Sequence, residues 1–133
     1  MIIELNMQSE EPIYTQLIHQ VIEGIASGQL QPGEPLPSVR SMASDIGVNL
    51  HTVNKAYNLL KQGGFIQIHR QRGVVVDPDG VPAATDSDRA RQQQQLRPII
   101  AEAICRGMKE AELIHAVQSI YRNIVSGTKE REL

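Results

Sequence analysis

The sequence predicts a mainly α chain with a small β element near its middle and a separate helical pair at its end. Three observations predict it. Apolar residues recur at spacings of three and four in stretches on either side of the middle. Two short strand-like runs, 65–69 and 74–76, lie between those stretches. The run DPDGVPAATDS, 77–87, rich in Pro, Gly, Asp and small residues, then reads as an exposed linker.

The first eleven residues are partly apolar at Ile2, Ile3 and Leu5 and are expected to add a short extended segment. Pro12 suits a helix's first turn, where its missing N–H costs nothing. Ile13, Leu17, Val21, Ile22, Ile25 and Ala26 form one buried stripe, and Gly28 follows as a stop, so a helix is expected over about 12–27. Residues 29–37 carry Pro32, Gly33, Pro35 and Pro37 and read as a rigid connector. Ser38 is a good N-cap for a short helix to Ile46, buried through Val39, Met42, Ala43 and Ile46. Gly47 is placed to end it in the left-handed conformation.

Asn49 then caps a helix from Leu50 to Gln62. Val53, Ala56, Tyr57 and Leu60 form its inner face, with Leu59 alongside. Leu50, His51, Thr52, Asn54, Lys55 and Asn58 are left on the outside. Two helices joined by a tight turn at 47–49 describe a helix-turn-helix, whose second helix can enter a DNA major groove. Its polar outer face offers the donors and acceptors that base edges require. Gly63 and Gly64 stop this helix. Residues 65–69, alternating from Ile66, and 74–76, joined by a hairpin tip Arg70-Gln71-Arg72-Gly73, make a wing whose arginines are placed for phosphates or the minor groove.

Asp86 or Ser87 is expected to cap the next helix, which starts at about Asp88 and buries Leu96, Ile99, Ile100, Ala103 and Ile104. Pro98 lies inside this pattern and should kink or restart the helix. Gly107 ends it. A second helix over about 109–126 carries a wide stripe of Leu113, Ile114, Val117, Ile120, Tyr121, Ile124 and Val125. Gly127 ends that one, and 128–133 is a charged tail expected to fray. Two helices cannot bury both stripes against each other alone. A second copy supplying the same pair would give a two-fold, four-helix arrangement.

Composition narrows the function classes. The chain's net charge is −2, but its distribution is uneven. Residues 1–39 hold five glutamates and no Lys or Arg. Residues 40–72 hold Arg40, Lys55, Lys61, Arg70 and Arg72 against Asp45 alone. A basic footprint therefore sits on the helix-turn-helix and wing. One Phe and no Trp argue against single-strand or RNA binding on aromatic platforms. Cys105 is the only cysteine, so no intrachain disulfide forms. With no leader and no apolar run of ~18 residues, a soluble cytoplasmic protein without membrane contact is expected. His19, His51, His69 and His115 are scattered, without metal-site spacing. Cys105, on an apolar helix face, reads as a buried structural thiol and not as a nucleophile paired with His115. No catalytic residue, metal or cofactor is expected.

The motif Gly28-x-Leu30-x-Pro32-Gly33-x-x-Leu36-Pro37-Ser38-x-Arg40 is followed by Val48-Asn49-x-x-Thr52-Val53-x-x-Ala56-Tyr57-x-x-Leu60 and by Gly64-Phe65-Ile66. Over residues 12–76 the chain resembles the winged N-terminal domain of GntR-family bacterial transcription regulators. Its short tail resembles the YtrA-type subgroup, which carries a reduced dimerisation domain. The resemblance implies a winged helix-turn-helix DNA-binding domain at 1–77, a linker at 78–87 and a two-helix dimerisation domain at 88–133. It implies DNA contacts from Arg40, Asn49, His51, Thr52, Asn54 and Lys55, and from Gly73 beside Arg72 at the wing; Leu50 on the outer side of the second helix and Arg70 in the hairpin tip join them from position alone. The family wing usually reads Gly-x-Gly-Thr-x-Val. This chain departs from it with Gln71-Arg72-Gly73-Val74-Val75-Val76. Some relatives have a guanine-reading arginine where this chain has Leu50, which could pack on a thymine methyl instead.

The expected function is a sequence-specific homodimeric repressor, paired through 88–126, on an inverted repeat of double-stranded DNA. The subgroup resemblance adds a transporter operon as target. The alternative is a winged-helix protein–protein adaptor, which the basic footprint disfavours. Some relatives fuse this domain to an aminotransferase-like one, but a tail of ~50 residues is too short for that fold. The tail also leaves little room for an effector pocket inside one protomer, so a small-molecule effector site between protomers or domains stays open.

Overall fold

The computed structural model describes residues 3–127, so Ile2 and the expected fraying tail, 128–133, lie outside the described residues. The chain divides into two compact units between Val81 and Pro82.

In the first unit, α1 runs Ile13–Ala26 behind Pro12, and Gly28 takes φ 81° just past its end. Two glutamines one helical turn apart on α1 tie down the segment before it. Gln20 Oε1 accepts from Glu4 N–H at 2.8 Å, and its amide donates back to the Glu4 carbonyl. Gln16 pairs likewise with Asn6, at 2.8 and 3.0 Å, and also donates to the Glu11 carbonyl at 2.9 Å. The spacing explains the fit. Four helical residues rise ~6 Å, close to two residues of extended chain. Gln16 can therefore be buried, because its amide is satisfied.

Ser38 caps α2 (Val39–Ile46), its hydroxyl accepting from Ser41 N–H at 3.1 Å, and Gly47 ends it at φ 68°. Asn49 caps α3 (Leu50–Gln62). Leu17 and Val21 of α1, Met42 and Ala43 of α2, and Val53, Ala56, Tyr57 and Leu60 of α3 meet in one core. Leu59 is not part of it; it stands exposed on α3.

The connector holds an element the sequence reading did not anticipate. Pro35–Leu36 form β1, which joins β2 (Ile66–His69) and β3 (Gly73–Val76) in an antiparallel sheet of order β1-β3-β2. Leu36 pairs with Val74 and Ile66 with Val76, which seats Leu36, Ile66, Val74 and Val76 in the core. Pro35 is tolerated because β1 is an edge strand. Gly73, expected in the hairpin tip, opens β3 opposite His69 and takes φ 74°. No non-glycine residue among those described has positive φ. Gln71 therefore replaces the family glycine without strain, and Gly73 alone supplies the left-handed turn.

Buried Tyr57 locks α3 to the connector, its hydroxyl donating to the Pro37 carbonyl at 2.8 Å. Burial pushes its phenol up to about 12. The folded state thus favours the protonated form. That contribution is whole below the unfolded value of ~10 and is lost as pH rises towards 12. Tyr57→Phe is expected to cost about 1 kcal/mol in urea unfolding at neutral pH and to flatten the alkaline decline. An unchanged decline would place its cause elsewhere.

In the second unit, α4 spans Asp86–Cys105 and α5 spans Glu110–Ser126. The cap of α4 is Thr85, one residue before the positions expected from sequence, so Asp86 and Ser87 belong to the helix and not to the linker. Thr85 wins because it closes a reciprocal box with Asp88. Its hydroxyl accepts from Asp88 N–H at 3.1 Å, and the Asp88 carboxylate accepts from Thr85 N–H at 2.9 Å. The Thr85 backbone bond first, and its hydroxyl second, hold the Asp88 carboxyl below its usual value.

Helix α4 continues through Pro98, so no restart occurs there. The proline removes one ladder bond, and helix-forming neighbours on both sides carry the rest. Cys105, expected to be buried, is exposed. It ends α4, where α5 covers little of the helix: only Ala103 of α4 is buried, and no residue of α5 is.

Candidate nucleic-acid interface

The helix-turn-helix and hairpin of the first unit expose polar and basic side chains that the core does not use. The Asn49 side chain accepts from His51 N–H at 2.7 Å, which fixes where α3 begins. His51, Asn54 and Lys55 are exposed along α3, and Thr52 is half-buried between them and the core. Leu50 is 40% exposed, an apolar group at the head of a polar face. Arg40 stands exposed on the first turn of α2, which packs against α3. Arg70 and Arg72 are exposed in the hairpin that follows β2.

The electrostatics of this face come from missing partners. Arg40, Lys55, Lys61, Arg70 and Arg72 have no carboxylate partner among the described residues. The ion pairs present lie elsewhere, at Glu11–His19, Asp86–Arg89, Asp88–Arg91 and Glu102–Arg106. Unneutralised cations, in a stretch 40–72 whose one acid is Asp45, create the positive potential that attracts phosphates. Side chains without internal bonds also keep their donors free for a ligand.

Asn49 therefore has two candidate roles, and substitution separates them. Asn49→Ala is expected to cost about 1 kcal/mol of stability through the lost cap. Asn49→Asp keeps the cap, because a carboxylate accepts the same bond. It should preserve thermal stability while weakening DNA binding through charge repulsion. If Asn49→Asp binds DNA as the parent does, the residue acts as a cap alone.

Two features of this face were not legible from spacing. The Lys55 ammonium lies 3.9 Å from the centroid of the Tyr14 ring on α1. At the wing base, Gln67 donates to Asp77 Oδ2 at 3.4 Å, and Gln67 Oε1 lies 2.8 Å from His69 Nε2. With the Gln67 NH2 turned to Asp77, its oxygen accepts, so His69 carries its proton on Nε2.

Among the described residues, no group of three His, Cys, Asp or Glu could hold a metal, and no helix is long and apolar enough to cross a membrane. An apolar cavity between α4 and α5, touching Ile100, Ile104, Met108 and Leu113, measures about 120 Å³. That is small beside the several hundred Å³ typical of small-molecule sites.

Known proteins resemble this chain along most of its length. The family model described as bacterial regulatory proteins of the gntR family matches residues 13–76. The HTH-type transcriptional repressor YtrA of Bacillus subtilis (strain 168) is 32% identical over 127 residues, covering 96% of this chain and 98% of that protein. A solved structure titled YtrA from Sulfolobus acidocaldarius, a GntR-family transcription factor, is 42% identical, with a TM-score of 0.59, over 79% of this chain and 99% of that one. A crystal structure titled as a transcriptional antiterminator from Listeria monocytogenes EGD-e is 26% identical, with a TM-score of 0.88, over 99% of this chain and 98% of that one.

Proposed function

Because this chain belongs to the GntR family of bacterial regulatory proteins, with a YtrA-type layout, we propose that it is a repressor binding an inverted-repeat operator as a homodimer. Its matched relatives are transcription regulators, not enzymes. The observation that carries the DNA reading is the exposed side of α2, α3 and the wing, with five cations free of carboxylate partners among the described residues. In this reading Arg40, Arg70 and Arg72 engage backbone or groove. Asn49, His51, Thr52 and Asn54 contribute base contacts, and Leu50 packs on a thymine methyl. Lys55 binds a phosphate, and Gly73 sets the wing that carries the arginines.

Dimerisation through 88–126 is supported by the exposed apolar stripe of α4 and α5. A two-fold dimer places two α3 helices on half-sites about one DNA turn apart. The unit division between Val81 and Pro82 suits a DNA-reading part and a pairing part. The small cavity in the helical pair favours an effector site formed between protomers over one inside a protomer. The target genes we propose, those of a membrane transporter, rest on the subgroup resemblance alone. Action in the cytoplasm follows from the same reading.

A mobility-shift titration over a range of salt tests the function. Binding should be steeply salt-dependent, since each phosphate contact releases a counterion, and an operator duplex should outcompete bulk DNA. A protein that binds no duplex at any salt is an adaptor or something else. One that binds all duplexes alike is not a specific regulator.

A further inference from the structure

We propose that Tyr14 is a positioning residue of the DNA interface, its ring holding the Lys55 ammonium at the junction of α1 and α3 where it meets a phosphate. This rests on the DNA-binding reading above. The Lys55 Nζ lies 3.9 Å from the ring centroid, well inside the ~6 Å range of cation–π attraction. Lys55 has no carboxylate partner among the described residues, so the ring is its one partner there. Tyr14 is half-buried and packs against the core, which makes the ring a fixed platform.

The lysine follows His51 by one helical turn and so shares its outward side of α3. A lysine stem is flexible, and gripping a phosphate costs it rotamer freedom. The ring supplies part of that order before DNA arrives. The ammonium has three donors and the ring face occupies one side, so the others stay available. The pairing is with the ring face, not with the Tyr14 hydroxyl.

The test uses the full chain with two probes, a duplex of the DNA upstream of its own gene and a mixed-sequence duplex at low salt. Tyr14→Leu is expected to weaken binding roughly two- to fivefold. Tyr14→Phe keeps the ring and should bind as the parent does. In a Lys55→Met background, Tyr14→Leu should have no further effect. In the free protein, the Lys55 side-chain methylenes should show upfield ring-current shifts in NMR, retained in Tyr14→Phe and lost in Tyr14→Leu. The proposal is overturned if Tyr14→Leu costs the same with and without Lys55. It is also overturned if Tyr14→Phe costs as much as Tyr14→Leu, which would assign the hydroxyl a direct contact. Parent protein that binds neither duplex overturns the DNA reading and this proposal with it. The ring-current shift then separately reports whether the pair exists.

Discussion

Replacing Val117 and Ile120 together with glutamate is expected to yield a monomer that binds a two-half-site operator at least about a hundredfold more weakly. The two side chains are 56% and 58% exposed, and neighbouring Tyr121 is 69% exposed. With Ile114 and Val125 they form one stripe along α5, and Leu96, Ile99, Ile100 and Ile104 are exposed on α4. Apolar groups recurring at three and four residues on an exposed face need a partner surface. Glutamate in such a seam would have to shed its hydration without a cation to receive it. The helices themselves should persist, because none of these side chains contributes to a core. Sedimentation would read the mass, and titration against one and two half-sites would read the loss of linkage. A double variant that remains dimeric would exclude this face as the pairing surface. A monomer that binds the inverted repeat undiminished would show that pairing is irrelevant to DNA binding.

Arg40→Ala is expected to weaken operator binding about ten- to a hundredfold, the value of one good guanidinium contact. Arg70→Ala should cost only about threefold, as a flexible phosphate contact would. The difference follows from where each residue is mounted. Arg40 stands on the first turn of a capped helix packed against α3, whereas Arg70 lies in the hairpin turn. Neither arginine makes a hydrogen bond or ion pair among the described residues, so neither substitution should alter thermal stability. The salt slope should fall by about one for each variant that removes a phosphate contact. Equal and negligible losses at both positions would remove this docking arrangement.

Helix ends were legible where local chemistry sets them. Ser38, Gly47 and Asn49 bound α2 and α3 where the sequence places them, because caps act within three residues. The wing strands were legible too, since Gly64 and Gly73 punctuate short β-branched runs. What escaped reading depends on partners distant in sequence. Pro35–Leu36 become a strand only because β3 offers a free edge. Thr85 caps α4 through a carboxylate three residues on, in a run whose composition reads as linker. The exposure of Cys105 and Leu59 depends on how much surface a neighbour covers, which periodicity alone does not specify.

The interface divides the same way. Residue type and position on α3 are enough to single out His51, Thr52, Asn54 and Lys55. Tyr14 carries no such signal, because it lies on another helix and meets Lys55 only in the folded chain. Asn49 is legible as a cap, and its second role as a DNA contact is separable only by substitution.

Footprinting of the full-length protein on the DNA upstream of its own gene tests the central claim most directly. Two protected half-sites of inverted sequence, about one helical turn apart and occupied together, are the expected result. Uniform protection, or a single half-site filled independently of its neighbour, would contradict a dimeric reader of specific sequence.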